Sequence, residues 1–276
     1  MRLERKMRGG AQAHLLACDD GGWYVTKFRE NPQHRRILIN EWISAVLLRH
    51  LRISAPQVRV VSLSEQFLLN EQDVCLQLGS GRMPVGPGWH FGSQFPGNPH
   101  TEAVYDYLPD SMLSGVANLN HFLGALVFDK WTANSDSRQA IFFRRRLRDW
   151  LDDESVAPQR KGFIVQMVDH GYIFDGPHWA FNDSPIQGLY FRPQVYESLR
   201  GLDDLQPWLD QARHCPESIF DHILRELPRS WLDSEQEERE LEELLGRLLE
   251  RRRRIENLLL ASVRARAHVF PNWNAA

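Results

Sequence analysis

Phe128-Asp129-Lys130-Trp131-Thr132-Ala133-Asn134-Ser135-Asp136-Ser137-Arg138-Gln139-Ala140-Ile141-Phe142-Phe143 is the stretch on which the reading of the chain turns. The apolar run from Leu119 to Phe128 leads into it and predicts a buried helix. Asn134 to Gln139 then crowds six polar side chains together, and Ala140 to Phe143 follows as an apolar piece of strand length. Helix, polar loop, strand is a way to hold one carboxylate, that of Asp136, on a rigid rim facing a cleft. Further on, the strand-like segment Phe163 to Val168 ends in Asp169-His170-Gly171. Two aspartates thus stand at the edges of two short apolar strands.

The composition sets outer bounds. A chain of 276 residues suits one bilobed domain or two small ones. With 42% hydrophobic and 25% charged residues it reads as a globular protein. A net charge of −3 gives no bulk attraction to nucleic acid or to an anionic membrane, so neither is an expected partner. No apolar stretch approaches the roughly 20 residues of a membrane-spanning helix. The charged N-terminus lacks the apolar run of a secretory signal. Cys18, Cys75 and Cys215 are scattered without CxxC spacing, which predicts no zinc site, no disulfide framework and a cytoplasmic location.

Towards the N-terminus, Arg8-Gly9-Gly10 and Asp19-Asp20-Gly21-Gly22 are turn signals, with strands expected over Ala11 to Cys18 and Trp23 to Phe28. The first turn is suited to draping backbone N–H groups over phosphate, although two glycines also make a plain hairpin. Lys27 lies inside the second strand. A helix is expected over Asn40 to Leu51, with Trp42, Ala45, Val46, Leu48 and Leu51 near helical spacing. Glu41 would stand near its start, where the helix dipole alone accounts for an acid. Gln57 to Leu63 reads as a further strand. Gly79 to Pro99, rich in glycine and proline, reads as an ordered flap or crossover. Val104 to Pro109 reads as a hinge.

In the second half, Arg144, Arg145, Arg146 and Arg148 precede a polar loop, Asp149 to Lys161, and read as a solvated hairpin. The aromatic segment from Tyr172 to Phe191 fits either an activation-type or substrate loop or rings packed beneath a long loop. Leu241, Leu244, Leu245, Leu248, Leu249, Ile255, Leu259 and Val263 recur at three- and four-residue steps and predict C-terminal helices. The run Arg251 to Arg254 reads as a solvated face paired with Glu242, Glu243, Glu250 and Glu256.

Taken in order, Arg8-Gly9-Gly10-Ala11-Gln12, Lys27-Phe28, Asn40-Glu41-Trp42, His90-Phe91-Gly92-Ser93, Phe128-Asp129-Lys130-Trp131, Asn134-Ser135-Asp136-Ser137-Arg138-Gln139 and Asp169-His170-Gly171 resemble the HipA-like kinases. The resemblance is to a compact bacterial branch without the long N-terminal extension of the toxin-type members. It implies an α+β, bilobed protein-kinase-like or lipid-kinase-like fold with ATP bound between the lobes. A small antiparallel-sheet N-lobe over residues 1–103 and a mainly helical C-lobe over 104–276 are expected. It further implies that Asp136 is the catalytic aspartate, Asp169 a Mg2+ ligand, Lys27 the phosphate-binding lysine and Glu41 its ion-pair partner. Gly9, Gly10 and Gln12 would belong to the glycine-rich turn over ATP. Tyr105 and Tyr107 would lie at the hinge beside the adenine. The activity implied is transfer of the γ-phosphoryl of ATP to a hydroxyl of a protein serine or threonine, or of a small molecule. One departure stands out: kinases place a metal-binding asparagine about five residues after the catalytic aspartate, and here that position is Ile141. Gln139 is the candidate replacement ligand. The departure keeps a second reading open, a nucleotide-binding pseudokinase or scaffold on the same fold. A third is nucleotidyl transfer.

Overall fold

The computed structural model describes residues 1–151 and 155–274. Strands β1 (Arg2–Lys6), β2 (His14–Ala17) and β3 (Trp23–Lys27) form an antiparallel meander. The turn between β1 and β2 contains Gly9 at φ +115°, a backbone angle that a side chain disfavours. Helix α1 (Arg36–His50) leads to β4 (Val58–Leu63) and to the short helix α2 (Glu65–Asn70). The Ser64 hydroxyl caps α2 by accepting from the Phe67 N–H at 3.2 Å. A two-stranded hairpin, β5 (Cys75–Leu78) with β6 (Gly81–Pro84), precedes β7 (Gly88–Gln94). The five-stranded sheet has the order β1-β2-β3-β7-β4.

Two expectations change here. The glycine-rich stretch from Gly79 to Pro99 is no flap, because β7 is an interior strand paired with β3 on one side and β4 on the other. Hydrogen bonding on both edges overrides the weak local preference of its glycines. Helix α1 begins at Arg36, not Asn40, so its first turn holds no acid and the dipole account of Glu41 fails. Ile37, Leu38, Ile39, Ile43, Leu47 and Leu48 are buried around it, as in a helix enclosed on several sides.

The chain leaves the first sheet at Gln94, crosses through residues 95–103, and enters β8 (Val104–Tyr105). After α3 (Asp110–Leu113) and α4 (His121–Thr132) come the long antiparallel partners β9 (Gln139–Arg146) and β10 (Lys161–Val168). Val104 and Tyr105 pair with Phe143 and Phe142, giving a second sheet of order β10-β9-β8. The hinge expected at Val104 to Pro109 therefore begins in a strand already fixed to β9, and the crossing itself lies at residues 95–103. No strand pairing among the described residues joins the two sheets. Of the polar loop from Asp149 to Lys161, residues 152–154 lie outside the described residues.

Towards the C-terminus come the α-helices α5 (Trp208–Arg213), α6 (Glu217–Glu226), α7 (Glu235–Arg251) and α8 (Ile255–Ala265). Leu244 and Leu248 are fully buried against the core that contains α4. The fully buried Trp131 donates its indole N–H to the Leu248 carbonyl at 3.0 Å, tying α4 to α7. The arginine run is a solvated face only in part, since Arg253 and Arg254 are exposed while the first two are not. Arg251 is buried, donates to the Trp131 carbonyl at 2.7 Å and pairs with Asp183. Arg252 donates to the Cys215 carbonyl, Arg254 pairs with Asp183, and Glu256 pairs with Arg213 instead. A small antiparallel sheet with its helix, joined by one crossing to a helical body with its own three-stranded sheet, is a protein-kinase-like fold. Among the described residues no helix is long and apolar enough to cross a membrane.

Candidate active site

Lys27 ends β3 and Glu41 faces it from the second turn of α1. The ammonium donates to the Glu41 carboxylate and, at 2.8 Å, to Asp169 just beyond β10. Lys27 and Glu41 are buried, whereas the Asp169 side chain keeps 40% exposure and forms the open end of the cluster. Burial alone would lower the Lys27 ammonium, but Glu41 and then Asp169 outweigh it and hold it above its ordinary value. Burial raises the Glu41 carboxyl against the pull of Lys27. Lys27 holds Asp169 below the usual carboxylate range. The Glu41 carboxylate also accepts the His170 N–H at 3.0 Å, so it positions the lysine and the following loop together.

The loop carrying Asp136 runs beside this cluster. Its start is set by Ala133, which ends α4 in the left-handed region at φ +52°. The Asn134 side chain donates to Asp129 at 2.9 Å and accepts the Asp136 N–H at 3.1 Å. Gln139 lies directly opposite Val168 in the β9–β10 register, next to Asp169. Its amide nitrogen sits 3.4 Å from the Asp136 carboxylate. Ser135 N–H and hydroxyl both donate to the Tyr172 carbonyl, at 3.0 and 3.2 Å. Asp136, Gln139 and Asp169 thus belong to two segments that run side by side.

A buried arginine locks those segments. Arg138 donates twice to Asp129, at 2.9 and 2.5 Å, and to the Val168 carbonyl at 2.9 Å. It also lies 2.9 Å from His170 Nδ1, whose ring donates through Nε2 to the Met167 carbonyl at 3.1 Å. Burial opposes the guanidinium charge, and Asp129 more than restores it. Burial, reinforced by Arg138, pushes the His170 imidazole well below its ordinary value, and with Arg138 donating to Nδ1 the ring carries its proton on Nε2.

Asn40 joins α1 to the segment after Asp169. Its side-chain nitrogen donates to the carbonyls of Gly171, Ile173 and Gly176 at 2.7 to 3.2 Å, and its oxygen accepts from the Trp179 indole at 2.9 Å. Gly171 is needed for close approach, since a Cβ there would stand 2.5 Å from the Ile37 Cγ2. Phe174 and Trp179 are buried, and the Arg36 guanidinium lies 4.0 Å above the Trp179 ring. At these rings the aromatic segment is packed onto α1, the second of the two readings left open for it. Asp169 itself stands at φ +57°, a left-handed conformation of the kind that collects at functional sites.

The remaining candidates sit elsewhere or are committed. Gln12 donates to the Gln77 carbonyl at 2.7 Å and accepts its N–H at 2.6 Å, which binds the turn to β5. Gly10 rests on the Gln33 side chain, where a Cβ would stand 2.7 Å away, while Gly9 is open. Tyr105 packs edge-on against Phe163, and Tyr107 lies under Arg192 at 4.5 Å. Neither ring hydrogen-bonds to the Lys27 cluster among the described residues. Arg138 and Asn40 were not expected in these roles. Arg138 stands inside a polar run that gives no sign of burial, whereas Asn40 directly follows the apolar residues Ile37, Leu38 and Ile39.

Residues 2–257 match the HipA-like kinase family. The chain belongs to that family. No curated protein sequence matches it. A crystal structure of the Golgi casein kinase with Mn/ADP bound is similar at TM-score 0.48 and 11% identity, over 96% of this chain and 74% of that one. A second crystal structure of the Golgi casein kinase gives TM-score 0.39 at 11% identity, over 97% and 74%.

The site has the donors that a nucleotide-bound Mg2+ needs. Mg2+ takes one or two carboxylates, keeps several waters and fills its shell from phosphates. Asp169 is open on one side and Asp136 and Gln139 stand on the adjoining segment, so the oxygen set suits this HipA-like kinase. Among the described residues no group of three or more histidine, cysteine or acidic side chains forms a dedicated metal cage.

Proposed function

We propose that this HipA-like kinase transfers the γ-phosphoryl group of ATP to a hydroxyl group, in the cleft between the N-terminal sheet with α1 and the helical body. The observation that carries the reading is the meeting of Lys27, Glu41 and Asp169 beside the loop of Asp136. In this reading Lys27 binds the nucleotide phosphates and Glu41 keeps it charged and aimed. Asp169, with Gln139 and Asp136, would hold Mg2+, which supplies positive charge against the phosphates. Asp136 orients the acceptor hydroxyl and takes its proton as the oxygen bonds to the γ-phosphorus. The bond to the β–γ bridging oxygen breaks, and ADP leaves with that electron pair. Positioning and fixed charge do most of this work. The N-lobe is assigned to residues 1–103 and the C-lobe to 104–276, with a cytoplasmic setting and a protein or small-molecule hydroxyl as acceptor.

One observation favours the pseudokinase reading. Ile141 offers no ligand at the place of the usual asparagine, and Gln139 turns its amide nitrogen toward Asp136. The purified protein incubated with γ-labelled ATP and Mg2+ separates the readings. Kinase chemistry gives ADP and a product heavier by one phosphoryl group. A product heavier by a nucleotidyl group supports nucleotidyl transfer. Metal-dependent ATP binding without turnover on any acceptor supports the scaffold.

A further inference from the structure

Eight residues beyond Glu41 on α1, about 12 Å along the helix, Arg49 stands on the rim of a second pocket. Its volume is about 620 Å3, within the range of small-molecule sites. None of Lys27, Glu41, Asp136, Gln139 or Asp169 lines it. The wall is built from the link between α1 and β4, the start of α4, and β10.

Four features give the pocket a chemical character. Arg49 and Arg52 are exposed on its rim, and neither forms an ion pair among the described residues. Gln166, on β10, lines the pocket with only 5% exposure, and its side-chain oxygen has no hydrogen-bond partner. A buried amide oxygen without a donor carries a standing cost that a bound N–H group would remove. His121 accepts the Ser54 N–H through Nδ1 at 2.7 Å, which leaves its Nε2 proton for another acceptor. Trp150, whose ring meets Phe143 edge-on at 5.1 Å, lines the same pocket and keeps 38% exposure.

We propose that this pocket binds a small phosphorylated metabolite with a planar, hydrogen-bonding ring, that is, a nucleotide-type ligand distinct from the phosphoryl donor. Arg49 and Arg52 take the phosphate, for which paired guanidinium forks are suited. Trp150 stacks on the ring and the Gln166 amide reads its polar edge. The site does not depend on the proposed kinase activity, so it stands or falls by binding alone.

The test is calorimetric titration of the full chain with guanosine 5′-monophosphate in EDTA, which removes metal-dependent binding in the kinase cleft. Saturable one-to-one binding is expected. The double variant Arg49→Ala, Arg52→Ala, changed only at exposed positions, should weaken it tenfold or more. Gln166→Leu should weaken guanosine monophosphate without weakening inorganic phosphate, and Asp169→Asn should leave both unchanged. Absence of saturable binding overturns the proposal. So does binding that survives in the double arginine variant or disappears in Asp169→Asn.

Discussion

The Lys27 ammonium lies 2.8 Å from an Asp169 carboxylate oxygen, although 142 residues separate the two in the chain. The contact closes the cleft end of a buried cluster in which the same ammonium also serves Glu41. Lys27 is fully engaged and only 8% exposed. Removing it leaves Glu41 buried without its counter-charge. Lys27→Met should therefore cost about 3 kcal/mol of stability, the scale of a broken buried pair. Lys27→Met combined with Glu41→Leu should recover much of that loss, because it removes the orphaned charge. Urea unfolding of the two single variants and the double variant checks this. Additive losses would contradict it.

Asn40 is expected to act as a clamp, not as a ligand. Asn40→Ala strips hydrogen bonds from three carbonyls and the Trp179 indole, which predicts a loss of about 3 kcal/mol. Amide exchange should speed up in residues 171–180 before it does in β9. Uniform exchange across both would show that Asn40 does not hold that segment.

Acid should destabilise the fold between pH 6.5 and pH 4. His90, His121 and His170 are each neutral in the folded state, the first two held down to about 4 by burial and the third well below its usual value. Geometry agrees, since each Nδ1 faces a donor: the Arg29 N–H, the Ser54 N–H and the Arg138 guanidinium. Below pH 6.5 the unfolded chain binds protons that the folded chain refuses, so stability is full above that value and falls as the pH drops. Each histidine adds a slope of up to about 1.4 kcal/mol per pH unit. Equilibrium unfolding from pH 7.5 to pH 4.5 should show the decline, and His90→Gln should flatten it. An unchanged slope in that variant would contradict the assignment of His90.

Arg138 should separate positioning from binding. Arg138→Lys keeps a charge near Asp129 but loses the fork that reaches the Val168 carbonyl and His170. Turnover should fall ten- to a hundredfold with the KM for ATP nearly unchanged, as for a group that aligns the reacting segments. A rise in KM with unaltered turnover would place Arg138 in nucleotide binding instead.

Much of the site was legible because its parts lie in locally consistent segments. The apolar run before Asp129, the strand ending at Lys27 and the strand ending at Val168 each declare themselves by periodicity. What escaped depends on distant partners. β1, with the sequence Arg-Leu-Glu-Arg-Lys, has no apolar face and exists through its pairing with β2. β7 hides in a glycine-rich stretch until β3 and β4 flank it. Arg251 reads as solvated until the α4 carbonyls and Asp183 close around it. The hold of β5 on both ends of the Gln12 amide depends on Gln77, 65 residues away. The pairing of Tyr105 with Phe142 on β9 likewise depends on a partner far along the chain.

The most direct measurement of the central claim is the metal dependence of ATP binding in Asp169→Asn. The substitution keeps shape while removing the charge that would hold Mg2+, and it frees Lys27 from one of its two partners. In the wild-type protein ATP should bind more tightly in Mg2+ than in EDTA, and Asp169→Asn should bind equally in both. If the variant keeps the full Mg2+ enhancement, or if the wild type shows none, Asp169 is not the metal-binding residue of this cleft and the kinase account fails at its centre.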